Sequence, residues 1–120
     1  MLAQSRLWAG LTPDEHEFQY NPQRAVPDFK QCQARREAPN IAARARLRCL
    51  ADLAYGRHPQ RRLDVYPATT AGAPVHLFFH GGYWRGFDKN DFSFVAPALA
   101  DAGITVAVPN YALCPRVQVR

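Results

Sequence analysis

The residues of this chain best able to do chemistry together are His80-Gly81-Gly82-Tyr83-Trp84, set directly behind the apolar run Val75-His76-Leu77-Phe78-Phe79. Two consecutive glycines let a backbone turn sharply and approach a ligand closely, because no Cβ stands in the way. Such a loop can aim successive backbone N–H groups at one point. An oxyanion developing during acyl transfer needs this: donors about 2.7–3.1 Å from the charge, in a pocket poor in water. A metal reading does not fit. The four histidines, His16, His58, His76 and His80, show neither HxxEH nor HxH spacing, and His76 and His80 fall on a strand and its end rather than on one helical face. No cofactor is expected.

The elements that must hold this loop follow from the pattern on either side of it. Before Gly56 the chain reads as helical, and after it come β-rich runs separated by Gly and Pro. Thr12-Pro13-Asp14-Glu15 is a helix start: Thr12 caps, Pro13 suits the first helical position, and Glu15 closes a capping box. Tyr20-Asn21-Pro22 ends that helix. A second helix is expected over residues 28–38, broken by Pro39, with Asn40 capping a further helix over residues 41–48. Residues 49–55 read as a strand. Residues 61–66 alternate, with Leu63 and Val65 on one side and Arg62, Asp64 and Tyr66 on the other, as in a partly exposed strand. Residues 75–79 and 104–108 both read as buried strands. Between them Asp91 or Ser93 starts a helix that Gly103 ends. Strand, helix and strand together predict a βαβ unit with parallel pairing.

Composition limits the classes available. With 48% hydrophobic and 21% charged residues among 120, the chain is ordinary globular material. Its longest apolar runs, residues 73–79 and 104–109, fall far short of the roughly 18 residues that a membrane span needs. Residues 1–10 carry no apolar core of a secretory signal. Three widely spaced cysteines, Cys32, Cys49 and Cys114, argue against a disulfide framework or zinc ribbon and fit a reducing cytoplasm. The net charge of +5 arises from residues 1–62, which hold 11 Lys and Arg against 6 Asp and Glu. No aromatic interleaving or nucleic-acid motif accompanies these arginines, so they read as solvated helix faces rather than a phosphate-binding stripe.

His80-Gly81-Gly82-Tyr83-Trp84, followed by Asp88-Lys89 and Phe92, resembles the HGGxW signature of the kynurenine formamidase (arylformamidase) branch of the α/β-hydrolase superfamily. Asn110-Tyr111-Ala112-Leu113-Cys114-Pro115 resembles the NYxLxP segment of that branch and of the hormone-sensitive-lipase-like esterases. Tyr20-Asn21-Pro22, Val26-Pro27-Asp28, Tyr55-Gly56 and Arg62-Leu63-Asp64-Val65-Tyr66 fall in family-like order, so the resemblance covers most of residues 11–117. It implies the N-terminal part of an α/β-hydrolase fold: a helical segment over residues 1–48, then a mostly parallel sheet with one βαβ unit over residues 49–120. It also implies that the N–H groups of Gly82 and Tyr83 are the oxyanion donors. Gly81 would permit the turn, His80 would brace the loop, and Trp84 would wall the pocket, although residue type alone places Trp84 in the core. Asp88 and Lys89 read as a surface pair.

By the same resemblance the catalytic serine sits on a GxSxG elbow, followed in the chain by an acid and a histidine. The two serines, Ser5 and Ser93, lack that setting, and in the family the elbow lies beyond the position of Arg120. The chain therefore reads as a truncated serine hydrolase, inactive and marginally stable alone. Its full-length relative would act on N-formylkynurenine or a similar aryl formamide in tryptophan breakdown. The alternatives are a carboxylesterase of unassigned substrate, or a non-catalytic fragment or binding module. The expected partner is a small acyl ester or formamide, with no membrane and no nucleic acid.

Overall fold

A computed structural model describes residues 10–119 of the chain. Ser5 lies outside the described residues. Two compact units are formed, one ending at Arg35 and the other beginning at Arg36. The first unit is a run of short helices, α1 (Pro13–Tyr20), α2 (Pro22–Ala25) and α3 (Phe29–Ala34). Their limits follow from local chemistry. Thr12 Oγ1 accepts from Glu15 N at 3.3 Å while Glu15 Oε2 accepts from Thr12 N at 2.8 Å, which closes the capping box. Asn21 ends α1 and at once caps α2, its Oδ1 accepting from Gln23 N at 3.0 Å.

The second unit begins with α4 (Glu37–Arg46) and contains the sheet strands β1 (Leu50–Ala54), β2 (Arg62–Tyr66), β3 (Val75–Leu77) and β4 (Thr105–Pro109). A 3₁₀ helix (Lys89–Val95) and α5 (Ala96–Asp101) join β3 to β4. The expected break at Pro39 does not occur. Pro39 lies in the first turn of α4, where backbone N–H groups have no helical partner and a missing one costs nothing. Asn40 is consequently not a cap. It is buried in α4, and its Oδ1 accepts from Phe94 N at 2.9 Å.

Strand order is β1-β2-β4-β3. The expected βαβ pairing is present, since β3 and β4 are parallel with Leu77 opposite Ala107. The mostly parallel sheet is corrected to a mixed one, because β1 with β2 and β2 with β4 both pair antiparallel. A short connection such as that between β1 and β2 can only return the chain antiparallel, whereas parallel neighbours need a crossover.

The core lies where α4, the 3₁₀ helix and α5 meet one face of the sheet. Tyr66, Ala96, Val106 and Val108 are fully buried there, with Leu47, Phe78, Phe92, Val95 and Leu99 packed against them. This corrects the reading of β2. Asp64 and Tyr66, opposite Val108 and Val106, are on the buried face, and Leu63 and Val65 are half-buried. The burial expected for the first parallel strand is corrected too: Val75, Leu77 and Phe79 are 64%, 54% and 63% exposed. β3 is the sheet edge, so one of its flanks has no neighbour among the described residues. Cys32, Cys49 and Cys114 are all free thiols, and no described helix is long and apolar enough to cross a membrane. Several arginines have partners inside the unit. Arg46 pairs with Asp101, Arg44 donates to Asn90 O and Ser93 Oγ, and Arg36 lies over the Phe87 and Phe92 rings.

Candidate active site

Parallel pairing brings the carboxyl ends of β3 and β4 side by side, the place where open α/β sheets bind ligands. The loop after β3 and the segment after β4 line one cleft of about 660 Å³, formed by Phe79, His80, Gly81, Gly82, Tyr83, Trp84 and Tyr111. All five loop residues singled out from the sequence are therefore in one place.

His80 is buried and held on three sides. Its ring stacks between Phe92, at 5.5 Å, and Tyr111, at 4.6 Å. Its Nδ1 lies 2.7 Å from Gly81 O, a contact that only the Nδ1–H tautomer satisfies. Tyr111 Oη donates to the His80 carbonyl. Burial pushes the Tyr111 phenol above its usual pKa.

The turn itself falls on Gly82 rather than on Gly81. Gly82 has φ +130°, and a Cβ there would stand 2.3 Å from Gly86 O. A Cβ at Gly81 would meet nothing within 4 Å. Tyr83 and Trp84 follow in the left-handed region, each at φ 55°. The Gly82 carbonyl closes the turn by accepting from Arg85 N at 3.0 Å and Gly86 N at 3.1 Å. Among the described residues, neither Gly82 N–H nor Tyr83 N–H donates to any protein group. Trp84 is not a core residue. Its side chain is 55% exposed at the cleft, and it supports the loop through its backbone, its carbonyl accepting from Cys114 N at 2.7 Å.

The surface pair expected at Asp88 and Lys89 is instead the foundation of the loop's far end. Asp88 caps the 3₁₀ helix in a capping box with Asp91 and accepts from Asn110 Nδ2 at 2.6 Å. Lys89 is 4% exposed, with Nζ 2.8 Å from Asp64 Oδ1 and 3.0 Å from Asp52 Oδ1. A bulge in β1 with Asp52 at φ 55° also lets Asp52 N donate to Asp64 Oδ1 at 2.9 Å. Burial alone would lower the Lys89 pKa, but hydrogen bonds and charges from Asp64 and Asp52 outweigh it and hold the ammonium above its usual value. A sequence signal for this existed: Asp88 and Asp91 stand at capping-box spacing. Nothing in the sequence marked Asp52 or Asp64 as partners of Lys89.

Ser93 is fully buried and accepts from Arg44 Nη1 at 2.9 Å, which removes it as a nucleophile. No group of His, Cys, Asp and Glu among the described residues could hold a metal ion.

No family model matches the chain. A kynurenine formamidase from Danio rerio is 30% identical over 117 residues, covering 91% of this chain and 40% of that protein. Among solved structures, a proposed thioesterase from Silicibacter sp. TM1040 superimposes with a TM-score of 0.71 at 31% identity, over 82% of this chain and 38% of that one. Esterase B from Lactobacillus rhamnosis superimposes with a TM-score of 0.54 at 25% identity, over 78% of this chain and 34% of that one. The chain carries part of the α/β-hydrolase fold. It is formamidase-like in sequence and spans 40% of the length of the Danio rerio relative. As in α/β-hydrolases, the glycine-rich loop follows a parallel strand and faces the end of its neighbour.

Proposed function

We propose that residues 80–84 are the oxyanion loop of a serine hydrolase that cleaves an aryl formamide such as N-formylkynurenine. The nucleophile, acid and histidine would come from residues outside these 120. In this reading a serine Oγ gives its proton to the histidine as it attacks the formyl carbon, and the carbonyl electron pair moves onto oxygen. The Gly82 and Tyr83 N–H groups hold that oxyanion as the C–N bond breaks. The arylamine leaves with a proton from the histidine, and water then releases formate from the acyl-serine. One observation carries the reading: the left-handed turn leaves two successive N–H groups beside the cleft without an acceptor among the described residues. The formamidase name of the Danio rerio relative supports the substrate class, and three free thiols support residence in a reducing cytoplasm. Alone, the 120 residues are expected to be inactive, since they contain no GxSxG.

The likeness to esterase B favours a second reading, a carboxylesterase using the same loop. Joining these 120 residues to a GxSxG-bearing remainder of formamidase type, and assaying N-formylkynurenine beside p-nitrophenyl acetate, separates the two. Formamide hydrolysis is the expected result, with Gly82→Ala lowering kcat about 10²–10³-fold as the donor is displaced. Ester turnover without formamide turnover would establish the second reading. A titratable serine with no turnover of either substrate would overturn both.

A further inference from the structure

The NYxLxP-like segment after β4 contributes no reacting group, yet it touches the loop at its start, middle and end. At the start, Tyr111 Oη donates to the His80 carbonyl and the Tyr111 ring stacks on the His80 ring at 4.6 Å. In the middle, Cys114 N donates to Trp84 O at 2.7 Å. At the end, Asn110 Nδ2 donates to Asp88 Oδ2 at 2.6 Å, and Asn110 Oδ1 accepts from Lys89 N at 2.7 Å. Asn110 is itself fixed. Its N–H donates to Arg62 O at 2.8 Å, and its carbonyl accepts from Tyr55 Oη. The splint is therefore tied to β2 and to the residue after β1.

A loop with four residues at positive φ, from Gly82 to Phe87, needs such ties. Each left-handed non-glycine residue costs of order 1 kcal/mol or more and persists only where its surroundings over-determine it. The hydrogen bonds within the loop are few: Gly82 O with two amides, and His80 Nδ1 with Gly81 O. We propose that Asn110 and Tyr111 are positioning residues of the oxyanion loop, fixing where the Gly82 and Tyr83 N–H groups point by clamping both ends of residues 80–89 to the end of β4. This role rests on the oxyanion reading for its catalytic consequence, while the clamp itself is a property of the fold.

The test uses that separation. In the 120-residue chain, the loop amides from Gly82 to Gly86 are followed by ¹⁵N relaxation in the parent, Tyr111→Phe, Asn110→Asp and the double variant Asp88→Asn/Asn110→Asp. Asn110→Asp sets two carboxylates against each other. The double variant restores one donor and one acceptor in reversed order and keeps an Asn cap on the 3₁₀ helix. Expected are loop order parameters falling from about 0.85 towards 0.6 in Tyr111→Phe and Asn110→Asp, with Val106 and Val108 amides unchanged and recovery in the double variant. Loop order equal to the parent's in both single variants would overturn the proposal. So would loss of order throughout β4 with no recovery in the double variant, because Asn110 would then be a general stability residue.

In the joined, GxSxG-bearing protein, kcat per phosphonate-titrated serine should fall about 10- to 100-fold for Tyr111→Phe and Asn110→Asp with KM unchanged, and recover in the double variant. An ordered parent loop in a protein without turnover would refute the oxyanion reading and leave the clamp standing. Full turnover in both single variants would refute the positioning role and leave the oxyanion reading standing.

Discussion

The two segments that flank the glycine loop invert the usual relation between residue type and burial. Ahead of it, Val75, Leu77 and Phe79 form an apolar run and are more than half exposed. Behind it, Lys89 and Ser93 are polar and almost completely buried. The apolar segment is an edge strand with one hydrogen-bonded neighbour, and no described residue covers its outer side. The polar segment is enclosed by α4, β1, β2 and the end of β4, each supplying a partner. Hydrophobicity thus sets what a segment could bury, whereas hydrogen-bonding demand at the loop's end sets what this chain does bury. The end of the loop that is tied to the sheet by charge is the buried one.

The largest expected effect comes from breaking that ionic end. Lys89→Ala leaves Asp64 buried without its counter-charge and should cost about 3–5 kcal/mol in urea unfolding. A cost below about 1 kcal/mol would show that Asp64 relaxes into solvent and that the buried pair does not anchor the segment.

A smaller effect is set by pH. The folded-state pKa of Lys89 is raised, so the stability from its pairs is complete below the unfolded pKa and is lost as pH rises through the folded one. Cys49 acts in the same direction. Burial, and then the charge of Asp64, raise its thiol above the ordinary 9.0, so ionisation in the unfolded chain pulls the equilibrium towards unfolding from about pH 9 upward. Melting temperatures should be flat from pH 6 to 8 and fall above pH 9. A decline already complete by pH 8 would contradict these assignments.

The smallest expected effect is on the other side of the loop. Leu77→Ala should change stability by less than about 0.5 kcal/mol, as for exposed positions generally. A loss of about 2 kcal/mol or more, the range for a buried leucine, would show that another surface covers β3 in solution and would remove the contrast between the two segments.

How much of this was legible in the sequence depends on whether a feature is local. The capping box at Thr12 and Glu15, the helix start at Pro13, the βαβ pairing and the placement of residues 80–84 at a strand end all follow from near neighbours. Asn40 looked like a cap because its partner, Phe94 N, lies 54 residues away. Lys89 looked like a surface residue because Asp52 and Asp64 approach it only after β1 bulges and β2 pairs with both of its neighbours. The exposure of β3 does not show in the sequence, because a continuous apolar run signals a strand able to be covered on both sides, not the presence of a cover. Within the loop, two adjacent glycines announced a turn without saying which of them carries it. The close approach of Gly86 O decides for Gly82.

Receipt of an oxyanion by the Gly82 and Tyr83 amides is the role proposed for the loop. Its most direct test is a crystal structure of the joined, GxSxG-bearing protein after reaction of its serine with an aryl phosphonate, whose phosphoryl oxygen stands in for the tetrahedral oxyanion. The expected result is that oxygen within about 2.7–3.1 Å of both Gly82 N and Tyr83 N. A phosphoryl oxygen held by other donors, with both amides unengaged, would contradict the claim.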